Sequence, residues 1–400
     1  MATASGRYNP LDPPVVRRRF WIVACLIYMT LVYSTAVHFA FGPERTISLT
    51  FFTWPKDNNP ILQEHFPDKG RWIDEDLRDI DARFLPVNFW KLSSVWGDAG
   101  YYVLQADDLD KSIPPYKYRF LPTEVIGAMH SITGVPVPIL FAIINCLLTL
   151  ITAILFTQYL LQDLGFSELP SILGGVLFVT MAANTQTIPF PMLEPASFLF
   201  CILIFRALYR SDWRMFVVAC SFGVATKEIL VATSLLWVVN RLAVGDRSTR
   251  GWLLVIWPAL LPVIVFVTIR LALGGGALDV NYGFNLLRGE LPLQYMARFL
   301  SPWNAAVVIV KLFLAFSFVW LGIVNCRKNP FLARNALMIP LVILATVILS
   351  SRITRIVGIV YPIVIPAFLM FLERPRTTYS RAGGGIHGLE SRKEIPADGV

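Results

Sequence analysis

The chain returns repeatedly to apolar runs of bilayer length. Residues 20–41, FWIVACLIYMTLVYSTAVHFAF, hold 22 positions with no acidic or basic side chain except His38. As a helix they extend about 33 Å, against a hydrocarbon core about 30 Å thick. Further apolar runs follow at about 136–161, 170–187, 193–209, 215–240, 252–273, 303–325, 336–351 and 353–372. Composition agrees: 55% of the 400 residues are hydrophobic, 16% are charged, and mean hydropathy is +0.58. Soluble domains carry about 25% charged residues. Disordered, collagenous and disulfide-rich secreted classes are thereby excluded. The pattern predicts an all-α, polytopic transmembrane bundle of about 9–11 spans.

Charge divides the chain. Residues 42–118 carry 13 of the 27 acidic residues against 9 basic ones, so this stretch is net −4 and the remainder is +12 within the overall +8. The basic residues outside it sit in short segments beside apolar runs, the pattern of the positive-inside rule rather than of a nucleic-acid surface. Arg17, Arg18 and Arg19 precede the first run, and its length and exit do not suit a cleaved signal peptide. The expected order is a cytoplasmic tail at 1–19, a first span at 20–41, an extracytoplasmic loop at 42–118, a helical bundle at 119–372 and a disordered cytoplasmic tail at 373–400. Both termini are then expected in the cytoplasm. Cys25, Cys146, Cys201, Cys220 and Cys326 all fall in or at the ends of apolar segments, as small hydrophobes rather than metal ligands.

Within 42–118, Ile73, Leu77, Ile80 and Phe84 recur at helical spacing opposite a strongly charged face, predicting a helix in the membrane interface. Asp79 and Asp81 form a D-x-D string, but on a helix they stand about 200° apart and cannot chelate together. Leu121, Val125, Met129 and Ile132 make an apolar stripe opposite Thr123, Glu124, Gly127 and Ser131, predicting a short span or a re-entrant segment. The stretch 215–240 is too short for two full crossings. It is either a broken hairpin tipped by Lys227 and Glu228, or one crossing with Arg210 and Arg214 against the charge rule.

Several residues could carry chemistry. Lys227 and Glu228 interrupt FVVACSFGVATKEILVATSLLWVV; a charge at membrane depth costs about 2.5–3.5 kcal/mol on insertion scales and needs a partner or a wet cavity. Asp98, in SSVWGDAGYYVLQADDLD, could serve as a general base. Lys117 and Arg119, in PPYKYRFLP, stand where the loop returns to the membrane and suit a phosphate at headgroup depth. Arg352 and Arg355 share a face at the start of the last span and are a second phosphate candidate. Glu194, in PFPMLEPASF, fits a helix terminus better than chemistry. Signatures of nucleophilic hydrolases, P-loops, dinucleotide folds and zincins are absent.

The order of a first span, an outer loop with GDAGYYVLQA, PYKYRFLP entering the membrane and TKE within a later span resembles bacterial polytopic GT-C glycosyltransferases, over roughly residues 15–245. The resemblance implies a bacterial inner-membrane enzyme that moves a sugar from a polyprenyl-phosphate carrier to an acceptor hydroxyl on the extracytoplasmic side, with inversion; no cofactor is expected, a divalent metal being an alternative that no motif in the sequence supports. It implies that Asp98 is the base, with Asp74, Asp76 and Asp107 as rival carboxylates. Tyr101 and Tyr102 match the aromatic positions after it, and Lys117 and Arg119 the cations that hold the carrier phosphate. Lys227 and Glu228 match the charged pair facing the outer cavity. The partners implied are a polyprenyl-phosphate-linked sugar, membrane lipid and a glycan, lipid or protein acceptor, with no nucleic acid. The alternative is a transporter or flippase for a lipid or small solute.

Overall fold

The computed structural model describes residues 18–41, 102–103, 105–106, 109, 116–184, 188, 192–243, 249–273, 317–342 and 357–373. The interfacial helix expected within 42–118 and both tails lie outside these residues. Every regular element among them is helical and none is a strand. They are α1 (Arg18–Phe41), a 3₁₀ turn (Tyr116–Tyr118), α2 (Phe120–Thr133), α3 (Val137–Gln158) running into a π turn (Tyr159–Asp163), and α4 (Glu168–Asn184). Next come α5 (Glu194–Arg210), α6 (Trp213–Thr226), a 3₁₀ turn (Glu228–Ala232), α7 (Thr233–Leu242) and α8 (Thr249–Ala272). A 3₁₀ helix (Ser317–Lys328), α9 (Pro330–Asn335), a 3₁₀ turn (Val357–Val360) and α10 (Tyr361–Leu369) complete the set.

Among the described residues, three helical stretches are long and apolar enough to cross a membrane: Arg19–Ala36, Ile139–Asp163 and Gly251–Ala272. Helices of this length and composition are those of a membrane-associated protein. The other apolar runs appear, among the described residues, as shorter helices such as Glu168–Ala183 and Trp213–Thr226. Apolar faces point outward: Leu26, Met29, Leu147, Trp252, Leu253 and Trp257 are all exposed, as lipid contact requires. Polar side chains inside the helices are satisfied by their own backbone. Thr30 and Thr35 donate to the carbonyls of Leu26 and Leu31 at 2.8 Å each, and Thr149 does so to Asn145 at 2.7 Å. In a medium without water that local bond replaces solvation.

The core is aromatic and small-residue packing between α1, α3, α4, α5 and α10. Phe178 stacks on Phe156 at 5.7 Å between centroids and meets Phe198 edge-on at 5.8 Å. Tyr28 of α1 hydrogen-bonds Thr157 Oγ1 at 2.5 Å and donates to the Ile172 carbonyl at 3.2 Å, tying α1 to α3 and α4. Gly175 lies where a Cβ would strike the Tyr28 hydroxyl, so its missing side chain permits that approach. On α2 the apolar residues Val125, Met129 and Ile132 face outward while Thr123 and Ile126 are buried. Gly127 meets the Ala106 carbonyl directly, which seats Ala106 on α2.

Contacts orient the helices. Asn145 Nδ2 donates to the Met192 carbonyl at 3.0 Å, while Arg206 reaches Gln158 at 2.8 Å, so residue numbers rise together and α3 and α5 are parallel. Ser211 takes the left-handed conformation (φ 55°) and its N–H caps α5. Asp212 then accepts the N–H groups of Arg214 and Met215 at 3.1 Å each, starting α6 in the opposite direction. The question over 215–240 is resolved as a broken hairpin. Phe216 lies 4.7 Å from Trp237, and Cys220 hydrogen-bonds Thr233 at 3.2 Å. Residue numbers fall on one arm as they rise on the other, so α6 and α7 fold back on each other with Lys227 and Glu228 at the tip. At 14 residues, α6 extends about 21 Å, so the hairpin is too short for two full crossings of the hydrocarbon core.

Candidate functional site

The tip of this hairpin meets the start of α5 and the 3₁₀ turn Tyr116–Tyr118 that precedes α2. Lys227 breaks α6 by adopting an extended backbone (φ −157°, ψ 117°), and the chain continues as a 3₁₀ turn. That break directs two consecutive side chains to different partners. Lys227 Nζ donates to Glu194 Oε1 at 3.0 Å, in a pair whose side chains are 7% and 6% exposed. Glu228 Oε2 accepts from Arg119 Nε at 2.7 Å. Arg119 also donates from Nη1 to the Tyr102 hydroxyl at 2.8 Å and lies 5.7 Å over the Tyr116 ring.

Each helix contributes for a local reason. Glu194 opens α5 with Pro195 beside it, where proline's lost N–H costs nothing and an acid complements the helix dipole. Arg119 immediately precedes α2 and follows the 3₁₀ turn Tyr116–Tyr118. Tyr102 stacks edge-on against Tyr116 at 5.4 Å, and both are buried with Met192, Leu193 and Leu140. A second set of contacts adds a cation from α8. Arg270 is buried between Tyr118 and Phe266, 4.7 Å from each ring centroid.

Of the residues singled out from sequence, the structure thus brings together Tyr102, Arg119, Lys227 and Glu228. Lys117 belongs to the same turn; it is half-buried, and its carbonyl accepts from Gln105 Nε2 at 3.3 Å. Asp98, Tyr101, Arg352 and Arg355 lie outside the described residues, as do Asp74, Asp76 and Asp107. Sequence reasoning missed two members. Glu194 passed for a helix terminus, which it is, but it is also the partner of Lys227. Arg270 is the lone cation near the end of the apolar run 252–273, and that isolation was its signal.

A second ionic cluster occupies the far end of α5. Arg206 Nε donates to Asp163 Oδ2 at 2.9 Å, and Arg210 Nη2 reaches Asp163 Oδ1 at 2.8 Å. Gln158 and Gln162 accept from Arg206 at 2.8 and 3.4 Å. On an α-helix, positions five apart diverge by about 140°; the π turn over 159–163 brings Gln158 and Asp163 onto one side. Glu194 and Arg206 are 12 residues apart on one helix, so the two clusters are separated by about 18 Å.

The first cluster can hold an anion or move a proton. It places guanidinium, ammonium, carboxylate and phenol groups together at the end of a hairpin within a lipid-facing bundle. Comparison with protein-family models, with curated proteins and with solved structures finds no match.

Proposed function

We propose that the chain is a membrane glycosyltransferase of GT-C type, taking a sugar from a polyprenyl-phosphate carrier at the outer leaflet of a bacterial inner membrane. The observation that carries this reading is the meeting of Arg119, from the loop exit, with the Lys227–Glu228 tip. Four positions that the family resemblance selects independently, scattered between residues 102 and 228, come together at one end of the bundle. The side assignment rests on charge: Arg210, Arg214 and Arg241 lie at the opposite end from this cluster, which is the cytoplasmic end under the positive-inside rule.

In this reading Arg119, Lys227 and Arg270 neutralise the carrier phosphate, so the leaving group departs with its charge already compensated and needs little acid help. Asp98 takes the proton of the acceptor hydroxyl as that oxygen attacks the anomeric carbon from the opposite face. The carbon–oxygen bond to phosphate breaks, the new glycosidic bond forms, and configuration inverts. Glu194 and Glu228 hold the cations in place between turnovers.

The test is lipid mass spectrometry on a deletion strain complemented with wild type or with Asp98→Asn. A polyprenyl-phosphate sugar that accumulates in the deletion, falls with wild type and stays high with Asp98→Asn supports the reading and names the donor. Full complementation by Asp98→Asn removes the base assignment. No change in any carrier lipid overturns the transferase and favours the transporter.

A further inference from the structure

The end of the bundle opposite the charged hairpin tip presents two exposed stripes, each apolar along its length and closed by an arginine. On α6, Arg214, Val218 and Phe222 are spaced four apart and all exposed, so they form one line down the helix. On the 3₁₀ helix, Phe318, Leu321, Val324 and Arg327 are spaced three apart and all exposed. Side chains three apart eclipse one another in a 3₁₀ helix, so these four also form a line. The arginines lie at the same end of the fold. Arg214 follows the α5–α6 corner, and Arg327 lies just before Asn329, which caps α9 by accepting from Phe331 and Leu332. Phe331 in turn packs 5.2 Å from Tyr209 at the C-terminal end of α5.

The charge at this end is unbalanced among the described residues. Arg206, Arg210, Arg214, Arg241, Arg327, Lys328 and Arg334 gather around the ends of α5, α6, α7 and α9; the bond from Asn240 to Asn335 at 2.8 Å joins the last two. Asp163 is shared by two of these arginines, and Asp212 is committed to the first N–H groups of α6. Glu373 accepts from Ser167 at 2.5 Å, and Glu168 opens α4. Trp213, exposed beside Arg214 and 5.5 Å from its guanidinium, is placed as an interfacial anchor.

We infer that this end of the protein seats anionic phospholipid, with a headgroup phosphate on Arg214 or on Arg327 and its acyl chains along the stripe that each arginine closes. A guanidinium matches a phosphate diester in charge and bidentate geometry, and the apolar line below it continues in the direction the acyl chain takes. A soluble anion would use the cations but not the stripes, and a zwitterionic lipid the stripes but less of the charge. The site stands apart from the transfer chemistry proposed above.

The experiment is thermal unfolding of the purified full-length chain in neutral detergent, titrated with phosphatidylglycerol, with phosphatidylcholine or with inorganic phosphate. Phosphatidylglycerol is expected to raise the melting temperature well above the other two. Arg214→Gln with Arg327→Gln is expected to need about fivefold more of it for the same shift, the loss of one cation from each lipid site at a membrane surface. Equal shifts with phosphatidylglycerol and phosphatidylcholine, or an equal shift with phosphate, overturn the inference from wild type alone, whether or not the variant folds. A double variant that responds like wild type overturns it too.

Discussion

Lys227 and Glu194 are each almost fully enclosed, and neither is tolerable in that place without the other. Breaking a buried pair by removing one partner costs about 3–5 kcal/mol, whereas replacing both with apolar groups is often neutral. Glu194→Gln is therefore expected to lower the melting temperature in detergent strongly, while Glu194→Leu with Lys227→Met restores most of the loss yet leaves the carrier lipid unconsumed. That split separates fold from function: a purely structural pair would regain both. Arg119 makes a sharper case, because its Nε and Nη1 serve two different acceptors, Glu228 and Tyr102. Lysine has one compact charge and no planar fork, so Arg119→Lys is expected to behave like Arg119→Gln in the lipid assay despite its retained charge. At this scale the sequence was legible wherever a charge interrupted an apolar run, as at Lys227. It was not legible where a residue had a sufficient local explanation, as Glu194 had at a helix start. Partner choice is a tertiary fact, and spacing along the chain does not carry it.

The α5–α6 corner shows how local rules set up the hairpin. Asp212 caps α6, and Asp212→Ala is expected to cost about 1 kcal/mol, measured as a lowered unfolding midpoint. Ser211 sits at φ 55°, where a side chain is strained, and Ser211→Gly is expected to leave stability unchanged or raise it by up to about 1 kcal/mol. Both cap signals are present in the sequence, as a Ser-Asp pair after an arginine-ended helix. The reversal of 215–240 was visible only as two alternatives, because the run is too long for one 3₁₀-broken arm and too short for two crossings. What decided it was cross-arm packing of Phe216 on Trp237 and of Cys220 on Thr233. The π turn after α3 was not foreseeable, since periodicity cannot distinguish five-residue from four-residue spacing over a single turn. Its consequence is testable: Asp163→Asn leaves Arg206 buried without its counter-charge and is expected to cost about 3–5 kcal/mol.

Across the whole molecule, two ionic clusters mark the two ends of a lipid-facing helical bundle, about 18 Å apart along α5. One end combines cations with carboxylates and the tyrosines Tyr102 and Tyr116; the other is dominated by exposed arginine. The apolar run lengths foretold helices and a membrane, and the unequal charge foretold which loops share a side. They did not foretell that several runs would fold as short helices, because hydropathy records burial in lipid or in protein alike. Packing of α1 through Tyr28 and Gly175 belongs to this scale; Gly175→Val is expected to expel the tyrosine and release the first helix, seen as faster proteolysis between α1 and α2. The central claim is that the Arg119–Lys227 cluster holds the phosphate of a polyprenyl carrier. Native mass spectrometry of the purified protein with added polyprenyl phosphate tests it most directly. The account predicts a retained carrier on wild type and its loss in Arg119→Gln and in Glu194→Leu with Lys227→Met, with both variants folded. Equal retention by wild type and folded variants, or none by wild type, would contradict it.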